Sequence, residues 1–198
     1  MAVAIYGGTF DPVHLGHTQM VKTALEEFNL SELVIVPNAN PPHKKDAYIT
    51  DFSHRYNMLS LAFDGLDKVT ISDYEKDRGV YSYSVDTMRH FRSVYGEDTY
   101  FIIGADSLLS IHTWYDSAAL LKENRFIVFR RNGDSTLLEA VDSYKKEGYR
   151  IYLSDMPKID ISSTDVRNTL LSGQSADRFL HPKVCEYIKA HSLYGGLI

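Results

Sequence analysis

Gly7-Gly8-Thr9-Phe10-Asp11-Pro12-Val13-His14-Leu15-Gly16-His17 is the stretch that decides the fold. It follows a short apolar run, Val3–Tyr6, and runs into an amphipathic segment from Leu15 to Phe28. Met20, Val21, Ala24, Leu25 and Phe28 recur there at helical spacing, so the segment predicts a helix. A strand, a glycine-rich turn and a helix in immediate succession are the opening of a βαβ unit. Glycines permit close backbone approach and left-handed turns, and Pro12 stiffens the loop.

The same alternation continues. Leu33–Val36 reads as a second strand stopped by Pro37, and Val69–Ser72 as a third. Tyr100–Ile103 reads as a fourth, ended by Gly104. Phe126–Phe129 and Ile151–Leu153 read as a fifth and a weaker sixth. Asp51 or Ser53 caps a helix using Met58, Leu59, Leu61, Ala62 and Phe63. Ser84 starts another using Val85, Met88, Phe91 and Val94. Ala118–Leu121, Leu137–Lys146, Ser163–Ser172 and Pro182–His191 complete the helices. Such alternation predicts an α/β fold, a Rossmann-like doubly wound parallel sheet closed by C-terminal helices. The expected organisation is one domain, 1–198, with its helical portion from about 161 to 198. Ligands of such sheets bind beyond the carboxyl ends of the strands, where strand order reverses.

Composition narrows the function classes. The chain has 198 residues, 44% of them hydrophobic, and a net charge of −5. That charge argues against a general nucleic-acid binder. Cys185 is the one cysteine, so there is no intramolecular disulfide and a reducing compartment is expected. The first strand starts almost at Met1 with no basic leader, and no apolar run approaches a bilayer span. The expectation is a soluble, cytoplasmic protein with no membrane partner.

Chemistry concentrates after the strands. His14 and His17 lie three apart at a helix start, on one face, with Gly16 between them. Two imidazoles beside the unpaired N–H groups of a helix N-terminus suit a polyphosphate. The loop lacks the Gly-Lys-Ser/Thr of a Walker A motif and the glycine spacing of a dinucleotide fingerprint. The second strand is followed by Pro41-Pro42-His43-Lys44-Lys45, a stiff basic loop. The fourth is followed by Gly104-Ala105-Asp106, where Asp106 can accept from a ribose hydroxyl, and then by Trp114-Tyr115, which can stack on a flat ring. Ile161-Ser162-Ser163-Thr164-Asp165-Val166-Arg167 reads locally as a capping run. It also supplies hydroxyls and a guanidinium to a phosphate.

Taken together these residues resemble the bacterial nicotinate mononucleotide adenylyltransferase family. The signature Gly-Gly-x-Phe-Asp-Pro-x-His-x-Gly-His is present at residues 7–17, and Ile-Ser-Ser-Thr-x-Ile/Val-Arg at 161–167. Pro42-His43-Lys44, Arg55 with Met58 and Leu59, Ser82-Tyr83-Ser84 with Asp86 and Thr87, Gly104-Ala105-Asp106 and Trp114 also match. Ser84 replaces the commoner Thr, and Arg131-Asn132-Gly133 the usual Arg-Pro-Gly.

The resemblance implies adenylyl transfer from ATP to nicotinate mononucleotide, with deamido-NAD and pyrophosphate as products. His14, His17, Lys44 and Arg167 would be catalytic. Gly7, Gly8, Thr9, Phe10, Gly16, Gly104, Asp106, Ile161, Ser162, Ser163 and Thr164 would line ATP. Lys45, Thr87, Trp114 and Tyr115 would hold the acceptor. Mg²⁺ is expected to come with ATP, held mainly by phosphates. No dedicated protein metal site is expected, and a homo-oligomer is compatible with the sequence. The rival readings are a sibling such as phosphopantetheine adenylyltransferase or a cytidylyltransferase, a non-catalytic nucleotide sensor, and a zinc site on His14, His17 and His43.

Overall fold

β1 (Val3–Gly8) turns Ala4 and Tyr6 to one side and Val3 and Ile5 to the other. All four are buried, because helices cover both faces. β2 (Glu32–Pro37) repeats the pattern, with Leu33 and Ile35 opposed to Val34 and Val36. Together with β3 (Val69–Ile71), β4 (Tyr100–Gly104), β5 (Arg125–Phe129) and β6 (Arg150–Ser154) they form one sheet of order β3-β2-β1-β4-β5-β6. Every pairing is parallel. This is the doubly wound order expected from sequence, with strand order reversing between β1 and β4. The computed structural model describes residues 2–40, 49–76, 81–130, 135–156 and 161–195.

One face carries α1 (Leu15–Glu27), α2 (Phe52–Ala62), α7 (Ser163–Leu171) and α8 (Pro182–Ala190). They bury Val21, Ala24, Met58, Leu59, Val166, Val184 and Ile188 against Ala4, Tyr6, Leu33, Ile35 and Ile102. The C-terminal helices thus share the core of the sheet. The other face carries α3 (Ser84–Tyr95), α4 (Ala105–Leu109), α5 (Ser117–Glu123) and α6 (Ser135–Lys146), over Val3, Ile5, Phe101, Ile103, Phe126 and Val128.

One expectation is corrected and one element is added. Val94 is 60% exposed rather than part of the α3 stripe. Steps of three residues drift on a helix of 3.6 residues per turn, so Val94 has rotated half a turn from the buried Val85. The helix α4, directly after Gly104, was not foreseen, since five residues carry too short a pattern to read.

Candidate active site

β1 and β4 pair in register with Tyr6 opposite Ile102, and two residues further along come Gly8 and Gly104. Both strands therefore end on glycine at the point of reversal. The glycines serve different ends. A Cβ on Gly8 would meet the Phe10 ring at 2.8 Å, so this glycine makes room for protein. A Cβ on Gly104 would meet nothing within 4 Å among the described residues, so there the space is open. Gly104 also has an extended backbone, φ −80°, that any residue adopts.

The loop beyond β1 is held by its carbonyl oxygens. The buried Arg55 of α2 donates from Nη1 to the Thr9 carbonyl at 2.8 Å and from Nε to the Thr50 carbonyl at 2.7 Å. Arg167 of α7 donates from Nη1 to the Asp11 carbonyl at 2.7 Å. Ser163 donates to the Pro12 carbonyl at 2.9 Å. The two end motifs of the sequence are thereby joined, across a separation of 156 residues for the Arg167 contact. Between these anchors Phe10 takes φ 49°, a left-handed conformation costly for an aromatic residue. Its ring is buried, edge-on to Tyr6 and His17, so the backbone of Phe10 rather than its side chain borders the loop surface.

His14 is the N-cap of α1, and its N–H donates to His17 Nδ1 at 3.1 Å. His17 thus takes the reaching-back part usually given to Glu or Gln three residues into a helix. With Nδ1 accepting, the neutral ring carries its proton on Nε2, which makes that atom a donor. The two imidazoles stack with centroids 3.7 Å apart. His14 Nδ1 is buried and has no partner among the described residues. The first N–H of α1, on Leu15, is not open as expected, because it donates to the Phe179 carbonyl at 2.8 Å.

A family model described as cytidylyltransferase-like matches residues 5–169. The protein named probable nicotinate-nucleotide adenylyltransferase from Clostridium tetani (strain Massachusetts / E88) is 37% identical over 195 residues, covering 96% of this chain and 98% of that one. A protein of the same name from Moorella thermoacetica is 42% identical over 197 residues, covering 97% and 91%. The solved Plasmodium falciparum nicotinic acid mononucleotide adenylyltransferase complexed with NaAD superimposes with a TM-score of 0.81 at 25% identity, covering 99% and 98%. The chain belongs to the nicotinate-nucleotide adenylyltransferase family.

In this adenylyltransferase-family site the histidines are neutral. Burial lowers the His14 pKa to about 4, opposed in part by Asp165. Burial, reinforced by His14, holds His17 well below its ordinary value. Stacking and desolvation thus favour two uncharged rings. The hydroxyls of the capping run are also engaged. Ser162 caps α7 by accepting from the Asp165 N–H at 3.1 Å and donates to the Asp165 carboxylate. Thr164 Oγ1 accepts from Arg167 Nη2 at 3.2 Å. Ile161 is partly buried against the core of the α1 face.

On the other side of the crevice, Asp106 is exposed in the first turn of α4. Trp114 is partly buried, edge-on to Phe101, and the exposed Tyr115 stacks on Tyr83 at 4.3 Å. Thr87 is buried, and its hydroxyl donates to Glu75 at 2.7 Å. Glu75, itself buried, also accepts from Asn38 Nδ2 at 3.2 Å and from the Ala39 N–H at 3.3 Å. His43, Lys44 and Lys45 lie outside the described residues, as does Arg131.

Sequence reasoning did not single out Glu75, and it quoted Tyr83 and Arg55 without a role. An acid or arginine in a polar stretch reads as solvated, and only burial reveals otherwise. Among the described residues, no group of three or more His, Cys, Asp or Glu is placed to hold a metal ion, and no helix is long and apolar enough to cross a membrane.

Proposed function

We propose that the protein transfers the adenylyl group of ATP to nicotinate mononucleotide, giving deamido-NAD and pyrophosphate in NAD biosynthesis. The observation that carries this reading is the Arg167–Asp11 hydrogen bond, which brings the α7 motif onto the histidine loop at the β1/β4 reversal. Full-length kinship with proteins named for this reaction supports the acceptor.

In the proposed reaction a 5′-phosphate oxygen of the mononucleotide attacks the α-phosphorus of ATP. The new P–O bond forms in line with the breaking bond to the β-phosphate oxygen, and pyrophosphate leaves. The nucleophile is already an anion, so no general base is needed. His17 Nε2–H donates to a phosphate oxygen, and the unpartnered His14 Nδ1 is a second point of contact. Arriving phosphates raise both imidazole pKa values, so charge is matched when the triphosphate binds. Arg167, held by the Asp11 carbonyl, faces the same anion from α7, with Lys44 proposed from the second loop. Gly7, Gly8 and Thr9 border the nucleotide, and open space at Gly104 takes its adenosine side. Thr87, Trp114, Tyr115 and Lys45 are proposed to hold the mononucleotide. Mg²⁺ would enter with the triphosphate and neutralise charge from its phosphate oxygens and water. The protein is proposed to work in the cytoplasm without nucleic acid.

The test is pyrophosphate release from ATP with nicotinate mononucleotide, nicotinamide mononucleotide and phosphopantetheine side by side. Preference for the first supports the reading. A preference for phosphopantetheine, or release from none, sinks it.

A further inference from the structure

We propose that Tyr194 is a positioning residue for the phosphate loop, acting through Asp11 on the loop and on Arg167. After α8 the chain makes a short turn, Leu193–Gly195, in which Tyr194 departs from helical geometry and which packs on α7 and α8. That turn carries the Tyr194 hydroxyl onto Asp11 Oδ1, 183 residues away in sequence. Asp11 is only 4% exposed, and its other oxygen accepts from the Thr50 N–H at 3.3 Å. Its carbonyl holds the Arg167 guanidinium. One residue therefore links the C-terminal turn, the loop bearing the histidines and the proposed phosphate-binding arginine.

The backbone supports a specific placement. Ser192 has φ 50°, Tyr194 φ 55° and Gly195 φ 69°. Two non-glycine residues in left-handed conformation persist only where surrounding contacts fix them. Such a conformation delivers the phenol to a buried carboxylate rather than to solvent. Burial and the neighbouring Asp11 push the phenol pKa up, so it remains a donor. The loop needs outside support because Phe10, beside Asp11, is itself left-handed. Arg55 and Ser163 hold the Thr9 and Pro12 carbonyls, while Tyr194 and Thr50 hold the Asp11 side chain.

This inference rests on the reading that the loop binds the triphosphate, and the experiment separates the two. Kinetics are compared for wild type, Tyr194→Phe, Asp11→Asn and the double variant, varying ATP and mononucleotide independently, with melting temperatures alongside. Loss of a hydrogen bond to a charged group predicts about a tenfold rise in KM for ATP in Tyr194→Phe. The mononucleotide KM should stay within about twofold, and the double variant should be no worse than Asp11→Asn alone, since contacting residues do not act additively. A lower melting temperature with both KM values unchanged, equal rises in both, or additive effects would overturn the inference.

Should Tyr194→Phe not fold, Asp11→Asn alone must show the same split, and equal rises overturn the inference. Absence of pyrophosphate release by wild type removes the functional reading instead. Hydrogen exchange at amides 9–11 and 13 then decides. Faster exchange in Tyr194→Phe supports the latch, and unchanged exchange refutes it.

Discussion

At the scale of single residues, the candidate site presents two imidazoles kept neutral by burial. His17→Ala is expected to lower turnover at least about tenfold while the protein stays folded, the usual loss for a removed charge stabiliser. Turnover close to wild type at saturating substrates would contradict its role. The depressed pKa values also predict a pH dependence of stability. Unfolded histidine takes up a proton below about 6.5, whereas folded His14 does so only at about 4. Between those values the unfolded state binds more protons, so stability falls as pH drops through that window. Thermal melts from pH 7.5 to 4.5 should show this, and His14→Gln with His17→Gln should flatten the slope.

At the scale of elements, Glu75 ties the turn after β2 to the first turns of α3. Its oxygens take the Asn38 amide, the Ala39 N–H and the Thr87 hydroxyl together. Glu75→Gln sets an NH₂ group against those donors and leaves at least one buried group unmatched. The expected cost is about 1–3 kcal/mol of stability, read in denaturant unfolding. If Thr87 belongs to the acceptor pocket, the mononucleotide KM rises while the ATP KM stays near wild type. Unchanged acceptor kinetics would confine Glu75 to stability. At this scale the elements themselves were legible, because parallel strands buried on both faces write continuous apolar runs and α1 and α3 write amphipathic ones. α4 was not, being too short to carry a period.

At the scale of the whole molecule, strand order sets the crevice. β1 and β4 end side by side on Gly8 and Gly104, where the strand order reverses. Gly104→Val tests the crevice directly. The added side chain starts in space free of the described residues, so the melting temperature should stay within a few degrees. The ATP KM should rise about tenfold or more, and an unchanged ATP KM would remove this strand end from the nucleotide site.

The local pattern of residues determined most of the strands and helices, and it marked Gly7–His17 and Ile161–Arg167 as candidates for phosphate chemistry. Periodicity and loop composition are properties of neighbours along the chain, so they survive in one dimension. Ionisation and mutual support are not. The neutrality of His14 and His17 follows from burial and ring stacking. The grip of Arg55, Arg167 and Tyr194 on one loop joins α2, α7 and the C-terminal turn. Those contacts bridge 46, 156 and 183 residues, a span over which no local pattern records a partner. Tertiary packing alone decided which polar side chains are drawn in to hold that loop.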